Sequence, residues 1–288
     1  MGTKLQVTRW LPLAFLMGTL LHAQTSGPMR RPDTGPGKPP RPVETPETAK
    51  FEPPPIPVEE IIRQFAAKET EFKAARDNYT YRQSVRVQEL GNDRDVVGEY
   101  RLISYIIFTP EGKRIEKVVR APLPTLQRIS VSPEDLRDIQ SIQPFVMTTA
   151  DIPKYNIEYL GKQRVDELDT YTFRVTPKAI QKGERYFEGL IWVDDRDLQI
   201  VKTLGKAVPD IRSRGQENLF PRFETYREQV DGRYWFPTYT SADDTLFFKN
   251  GPVHIRMVIR YTEYKRYGVE IKVTPGEPVE SEKPEKKQ

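Results

Sequence analysis

The chain of 288 residues carries 45 Lys and Arg against 41 Asp and Glu, a net charge of +4, with 26 prolines, two histidines and no cysteine. The absence of cysteine excludes disulfide frameworks, thiolate metal sites, thiol nucleophiles and the lipid-modified N-terminal Cys of a bacterial lipoprotein. Basic and acidic residues are intermingled, so no single-sign block offers a nucleic-acid footprint, and the length suits one domain with flanking segments.

At the N-terminus, Lys4 and Arg9 precede an apolar run from Trp10 to Leu21 that ends on Leu21-His22-Ala23. This pattern predicts a signal peptide over 1–23, cleaved near Ala23, and hence a periplasmic protein. The run is about 12 residues, short of the roughly 18 needed to span a bilayer, and no later stretch comes close. An uncleaved anchor is the alternative; otherwise the protein is peripheral to a membrane at most. Residues 24–57 hold 11 of the 26 prolines and few large apolar side chains, which predicts a disordered Pro-rich linker over 24–56. Residues 275–288 alternate Glu and Lys around Pro278 and Pro284 and read as a second disordered, charged tail. The remaining 57–274 is the folded domain.

That domain opens with a long helix. Pro57 suits a first turn, Glu59 and Glu60 suit the positive end of the dipole, and Val58, Ile61, Ile62, Phe65, Ala66 and Phe72 recur at three- and four-residue spacing. A shorter helix is expected where Ser132-Pro133-Glu134-Asp135 forms a capping-box pattern before Leu136 and Ile139. Nearly everything else alternates with period two, giving about ten strands at 79–90, 97–108, 113–119, 156–163, 168–176, 185–194, 198–207, 222–230, 233–241 and 253–265. Asp231-Gly232, Asn250-Gly251 and Pro110-Glu111-Gly112 mark reversals. Connections this short require antiparallel pairing. The predicted fold class is α+β, mainly antiparallel β: a curved half-barrel sheet with a long N-terminal helix and short helices against its concave face.

One strand is apolar on both sides. In Arg185–Val193, Phe187, Ile191 and Val193 oppose Tyr186, Leu190 and Trp192. An antiparallel sheet usually solvates one face, so either the sheet curls round its helix and leaves an apolar hollow, or short helices and loops cover the second face. Trp235 and Phe236 precede Pro237, which predicts a bend or an edge in that strand. Arg256, Arg260, Lys265 and Arg266 on the last strand read as charge guarding a solvated edge, or as a face for anionic headgroups or an acidic partner. Pro209 to Asn218 reads as a polar loop.

The run Tyr159-Leu160-Gly161, Leu168 to Lys178, Tyr186-Phe187-Glu188-Gly189-Leu190-Ile191-Trp192-Val193-Asp194 and Leu198-Gln199-Ile200-Val201-Lys202 resembles the outer-membrane lipoprotein-sorting superfamily, which includes the LolA carrier, its acceptor LolB and the sensor RseB. The resemblance is specific over about 157–205. It implies an unclosed half-barrel with a helical lid whose apolar concavity takes acyl chains. It therefore implies lipid or lipoprotein acyl chains as partners, with an envelope protein as a possible further partner, and it calls for no cofactor. The family's ligand-holding residues lie in early strands and do not carry over. The candidate lining, taken from side chains facing inward if the sheet curves, is Phe65, Phe72, Tyr105, Tyr171, Phe173, Phe187, Leu190, Trp192, Trp235 and Met257.

Enzymatic readings fare worse. After the signal, His254 is the single histidine, and its alternation puts it on the Arg256 and Arg260 face; no Gly-x-Ser-x-Gly elbow exists. Asp194, Asp195 and Asp197 lack the EF-hand spacing and read as a turn with Asx bonds, as do Asp243 and Asp244. Two non-catalytic expectations remain open: a carrier that holds acyl chains, and an envelope sensor or interaction module on the same fold without transport.

Overall fold

The computed structural model describes residues 53–109, 112–213 and 216–266. The expected signal over 1–23, most of the 24–56 linker, the 275–288 tail and the Pro110-Glu111 part of one turn lie outside the described residues. Helix α1 spans Val58–Arg76, with Glu59 and Glu60 in its first turn and Lys73 and Arg76 in its last, so both ends complement the macrodipole. Ile61, Phe65, Ala66, Glu69 and Phe72 form its buried stripe. Fully burying Ile61, Phe65 and Phe72 contributes about 2 kcal/mol each as an upper bound.

The strands are β1 (Tyr79–Leu90), β2 (Val96–Phe108), β3 (Arg114–Arg120), β4 (Tyr155–Val165), β5 (Leu168–Pro177), β6 (Tyr186–Asp194), β7 (Ile200–Val208), β8 (Ile211–Ser213), β9 (Gln216–Asn218), β10 (Phe223–Val230), β11 (Tyr234–Phe248) and β12 (Gly251–Arg266). Ten of them form one sheet in the order β3-β2-β1-β12-β11-β10-β7-β6-β5-β4, antiparallel throughout, and β3 and β4 do not pair, so the sheet stays open. This is the mainly antiparallel, unclosed architecture expected from the alternation pattern.

Four local readings change. The 209–218 stretch is not a plain loop, because Ile211–Ser213 pairs with Gln216–Asn218 as a short separate hairpin. Asp243 and Asp244 are not in a turn; they continue β11, opposite Arg256 and Ile255, where a cross-strand cation offsets the poor strand propensity of aspartate. β12 is no edge, since it pairs with β11 on one side and β1 on the other. Pro237 sits in an interior strand beside a register shift opposite Tyr226/Arg227, so the missing N–H bends the strand without breaking the sheet. The Asp231-Gly232 reversal has φ of 58° and 66°, the left-handed pair that a tight hairpin needs.

Helix α2 spans Pro133–Ser141 and is capped as its sequence predicts: Ser132 Oγ accepts from Asp135 N at 3.1 Å, and Asp135 Oδ2 accepts from Ser132 N at 2.7 Å. Together α1, α2 and the Phe145–Met147 segment cover one face of the sheet, here called the inner face, and share its largest apolar cluster. A smaller cluster on the outer face joins Val165, Leu190, Trp192, Val201, Leu204 and Trp235. The two-faced apolar strand β6 is thus explained by two cores. Phe187, Ile191 and Val193 serve the inner one, while Leu190 and Trp192 serve the outer one.

Candidate functional site

β6 and β7 approach each other unusually closely at Gly189 opposite Gly205. A Cβ on Gly189 would run into the Leu204 carbonyl, and one on Gly205 would lie 2.6 Å from the Phe187 ring. The missing side chains let Phe187 lie flat on the sheet and stack on Phe145 with ring centroids 4.3 Å apart. This end of the inner face is therefore filled by the protein itself.

At the other end the filling is incomplete. A hollow of about 220 Å³ lies between the inner face of β1, β12 and β11 and a strap of chain that runs from β3 into α2. Val87, Leu246, Ile255 and Met257 form its floor; Ile129, Val131, Ile139, Leu219 and Phe220 form its cover. The strap is fastened at several points: Thr125 N donates to the Glu99 carbonyl and Thr125 Oγ1 accepts from Glu99 N, each at 2.9 Å, and Gln127 Nε2 donates to the Val97 carbonyl at 3.0 Å. Glu89, fully buried on β1, accepts from the backbone N–H of Gln127 at 2.9 Å and of Arg128 at 3.1 Å, and from Arg128 Nε at 2.6 Å. Burial pushes the Glu89 carboxyl up, but the Arg128 guanidinium and the two N–H groups outweigh it and hold the group below the usual carboxylate range.

Polar groups ring the mouth. Asn218 Nδ2 donates to Ser132 Oγ at 2.9 Å and to Asp135 Oδ1 at 2.8 Å, which ties the β8-β9 hairpin to the start of α2. A carboxylate accepts only, so this orientation of the amide is the chemically required one. It leaves Asn218 Oδ1 buried without a partner among the described residues.

α1 is bolted down from within. Arg227 Nη1 reaches both Glu69 oxygens at 2.9 and 3.1 Å, Ile200 N donates to Glu69 Oε1 at 3.2 Å, and Arg227 Nη2 donates to the Phe145 carbonyl. Both ionic side chains are essentially inaccessible. Burial, the largest influence, pushes the Glu69 carboxyl up against the pull of Arg227. α1 is thus held by a buried ion pair, and α2 has one of its own, in which Arg185 Nη2 donates to the buried Asp138 Oδ2 at 2.5 Å.

The sequence-derived lining residues separate into groups. Met257 lies in the wall of the hollow. Phe65, Tyr171, Phe173 and Phe187 are buried in the same inner cluster, with Phe65 against Phe173 at 5.6 Å, and Phe72 packs edge-on against Phe236 at 5.1 Å in a neighbouring cluster. Leu190, Trp192 and Trp235 belong to the outer cluster, where the two indoles donate to Gln163 at 2.8 Å and to Asp197 at 3.0 Å. Tyr105 is half-buried and donates to Glu263 at 2.9 Å. Apart from Ile139 of α2, the residues that cover the hollow were not singled out in the sequence. Ile129, Val131, Leu219 and Phe220 sit outside the long strands and helices, where no period exposes them; the available signal was apolar residues standing in otherwise polar or Pro-flanked loops.

The residues weighed for other chemistries have structural partners. His254 lies on the outer face, bonded through Nε2 to Asp243 Oδ1 and through Nδ1 to Thr245 Oγ1, each at 2.8 Å, while Arg94 and Arg256 also hold Asp243. These five residues brace β11 against β12 and the β1-β2 turn, and none of them lines the hollow. Asp194 Oδ2 accepts from Arg196 N at 3.1 Å and Asp197 N at 2.6 Å, the expected Asx turn. Among the described residues no group of three or more His, Asp or Glu side chains is placed to hold a metal, and no helix is long and apolar enough to cross a membrane.

No protein-family model matches the chain, and no curated protein matches it. Among solved structures it is similar to a DUF1329 family protein from Desulfovibrio piger, at 15% identity and a TM-score of 0.37 over 75% of this chain and 95% of that one. It is also similar to a LolA superfamily protein from Nitrosomonas europaea, at 16% identity and a TM-score of 0.34 over 73% and 94%. A third is an outer membrane lipoprotein-sorting protein domain from Vibrio parahaemolyticus, at 11% identity and a TM-score of 0.33 over 71% and 93%. LolA superfamily and lipoprotein-sorting proteins are thus among the structures this chain resembles, as its sequence does. At such identities and scores the likeness carries no functional argument, and the chain's own strand order and packing define the fold.

Proposed function

We propose that this protein is an exported, non-catalytic binder that holds one apolar segment, such as the acyl chain of a lipid or lipoprotein, in the hollow beneath the 121–132 strap. The supporting observation is that the floor and cover of this hollow are apolar side chains that the protein's own residues do not fill. Its volume is below the roughly 300–1,000 Å³ of sites that enclose drug-sized ligands. A whole acyl chain therefore needs the strap and α2 to lift, while α1 stays in place. Each methylene buried contributes about 0.8 kcal/mol, so roughly ten would supply the ~8 kcal/mol of a micromolar complex before ordering losses. The small resting volume also suits the second expectation, a sensor that takes a short apolar segment without transporting it.

The test is to titrate the full chain, lacking its signal and stripped of lipid, with a fluorescent fatty acid, in parallel with Ile129→Trp. The indole occupies the hollow from the strap side, and overpacking there costs about 1–3 kcal/mol of stability, which leaves the fold intact. Wild-type binding that weakens about tenfold or more in the variant supports the proposal. A wild type that binds no probe, or a variant that binds as well as the wild type, removes it.

A further inference from the structure

The two edges of the ten-stranded sheet are treated differently. β4 is interrupted in mid-strand by a bulge between Tyr159 and Gly161, with Gly161 at φ 123°, an ordinary way to discourage edge pairing. β3 keeps a regular register with β2 from Arg114 to Val118 and has its own register shift only at Val119, near its end, and among the described residues no hydrogen bond reaches its outer backbone edge. Ile115, Val118 and Val119 are 45%, 54% and 55% exposed, and Leu123, just beyond the strand, is 91% exposed. An exposed edge with β-branched residues is a template for another strand, and the charges it carries restrict which strand can add.

Charge selects the occupant. Lys113, Arg114, Lys117 and Arg120 stand against the single carboxylate of Glu116, which already takes Arg114 at 3.2 Å and Gln140 at 3.3 Å. Lys117 and Arg120 enter no ion pair among the described residues, and the neighbouring outer face adds Arg86 and Arg101, about half exposed around Glu99. A second copy of this chain would set one such basic segment against another, and like charges on facing strands repel. A bilayer surface would meet the cations but would leave the strand's backbone groups without partners of their own.

We propose that β3 is a docking edge, at which an extended, acidic segment of a partner protein adds as an eleventh strand. Its carboxylates lie on the face of Lys117 and Arg120, and its apolar side chains lie on the opposite face, beside Val118. This recognition is β-augmentation, with the backbone supplying affinity and alternate side chains supplying selectivity. It is independent of what the hollow holds.

The probe is a synthetic heptapeptide alternating valine and glutamate, with a lysine-for-glutamate counterpart, added to the full chain and followed by anisotropy and by hydrogen exchange. The expected result is that the acidic peptide binds, its affinity falls with salt, and the amides of 114–120 gain protection. The lysine peptide should bind about tenfold more weakly. Val119→Lys should weaken binding, and Lys117→Glu with Arg120→Glu should reverse the preference between peptides; both changes are on an exposed edge, and far-ultraviolet circular dichroism checks that the sheet persists. Equal binding of both peptides, or binding with no protection at 114–120, overturns the proposal. It is equally overturned if the edge instead binds phosphatidylglycerol vesicles without binding peptide, or if it forms a dimer that Val119→Lys dissolves.

Discussion

Replacing Glu69 by leucine tests the claim that α1 is fixed to the sheet by charge as well as by apolar packing. The substitution leaves the Arg227 guanidinium in a site 1% exposed, with only the Phe145 carbonyl and the Phe72 ring, 5.1 Å from its centre, as company. Removing one partner of a buried pair costs about 3–5 kcal/mol, and the orphaned Ile200 N–H adds about 1 kcal/mol. A loss of about 4–6 kcal/mol is a large share of the stability of a domain this size. With a urea slope of roughly 3 kcal/mol/M, the midpoint should fall by about 1.3–2 M. Arg227→Met should be comparably damaging at pH 8. It should recover on acidification, because the carboxyl that burial already pushes up can then bind a proton, whereas the stranded arginine of Glu69→Leu cannot shed its charge. The double variant Glu69→Leu/Arg227→Met replaces the pair by apolar side chains and should lie within about 1–2 kcal/mol of wild type. If urea melts of the three variants show the double loss to be the sum of the single losses, the two residues are not coupled and the reasoning fails.

Three further outcomes are expected. Glu89→Gln should cost about 2 kcal/mol in urea melts and loosen the strap, seen as faster hydrogen exchange at 127–131. Because the folded Glu89 carboxyl sits below its unfolded value, its contribution is complete above about pH 4.3 and is lost as pH falls through the folded value. The wild-type minus variant stability difference should therefore shrink on acidification and stay level towards alkali. Gly189→Ala should cost about 3 kcal/mol or more, since the new Cβ meets the Leu204 carbonyl of a paired strand, and a melt unchanged from wild type would contradict the close β6-β7 approach. Ser132→Ala removes the α2 cap and the acceptor for Asn218, costing about 1–2 kcal/mol; fatty-acid binding measured beside the melt would show whether the mouth of the hollow depends on that cap.

Much of the architecture was legible because it is written in local alternation. The strand limits of β1, β5, β6 and β10 follow from period-two runs and turn residues, and the α2 capping box is a four-residue signal whose two reciprocal bonds form as expected. β12 was misread as an edge because its charged face looks solvated. That face is solvated, but it lies in mid-sheet between β1 and β11, and the pairing of a first strand with a last leaves no mark in either strand's own pattern. Asp243 and Asp244 show the same limit: the poor strand propensity of Asp243 is overridden by Arg256 on a strand that is near in space, and Asp244 accepts from the Arg222 and Thr245 backbone N–H groups.

The site divides in the same way. That β6 carries apolar bulk on both faces could be read from Phe187, Leu190, Ile191 and Trp192, but whether the second face meets a ligand, a loop or a second small core depends on Trp235 and Val165 arriving from distant strands. The hollow itself is framed by residues from β1, the strap, α2, the β9–β10 connection, β11 and β12. Alternation acts between neighbours in the chain, so the sequence alone determined the strands, the helices and the antiparallel class. Strand order, the buried Glu69–Arg227 pair and the unfilled volume under the strap are sums over groups far apart in sequence, and only the folded chain brings those groups within contact distance.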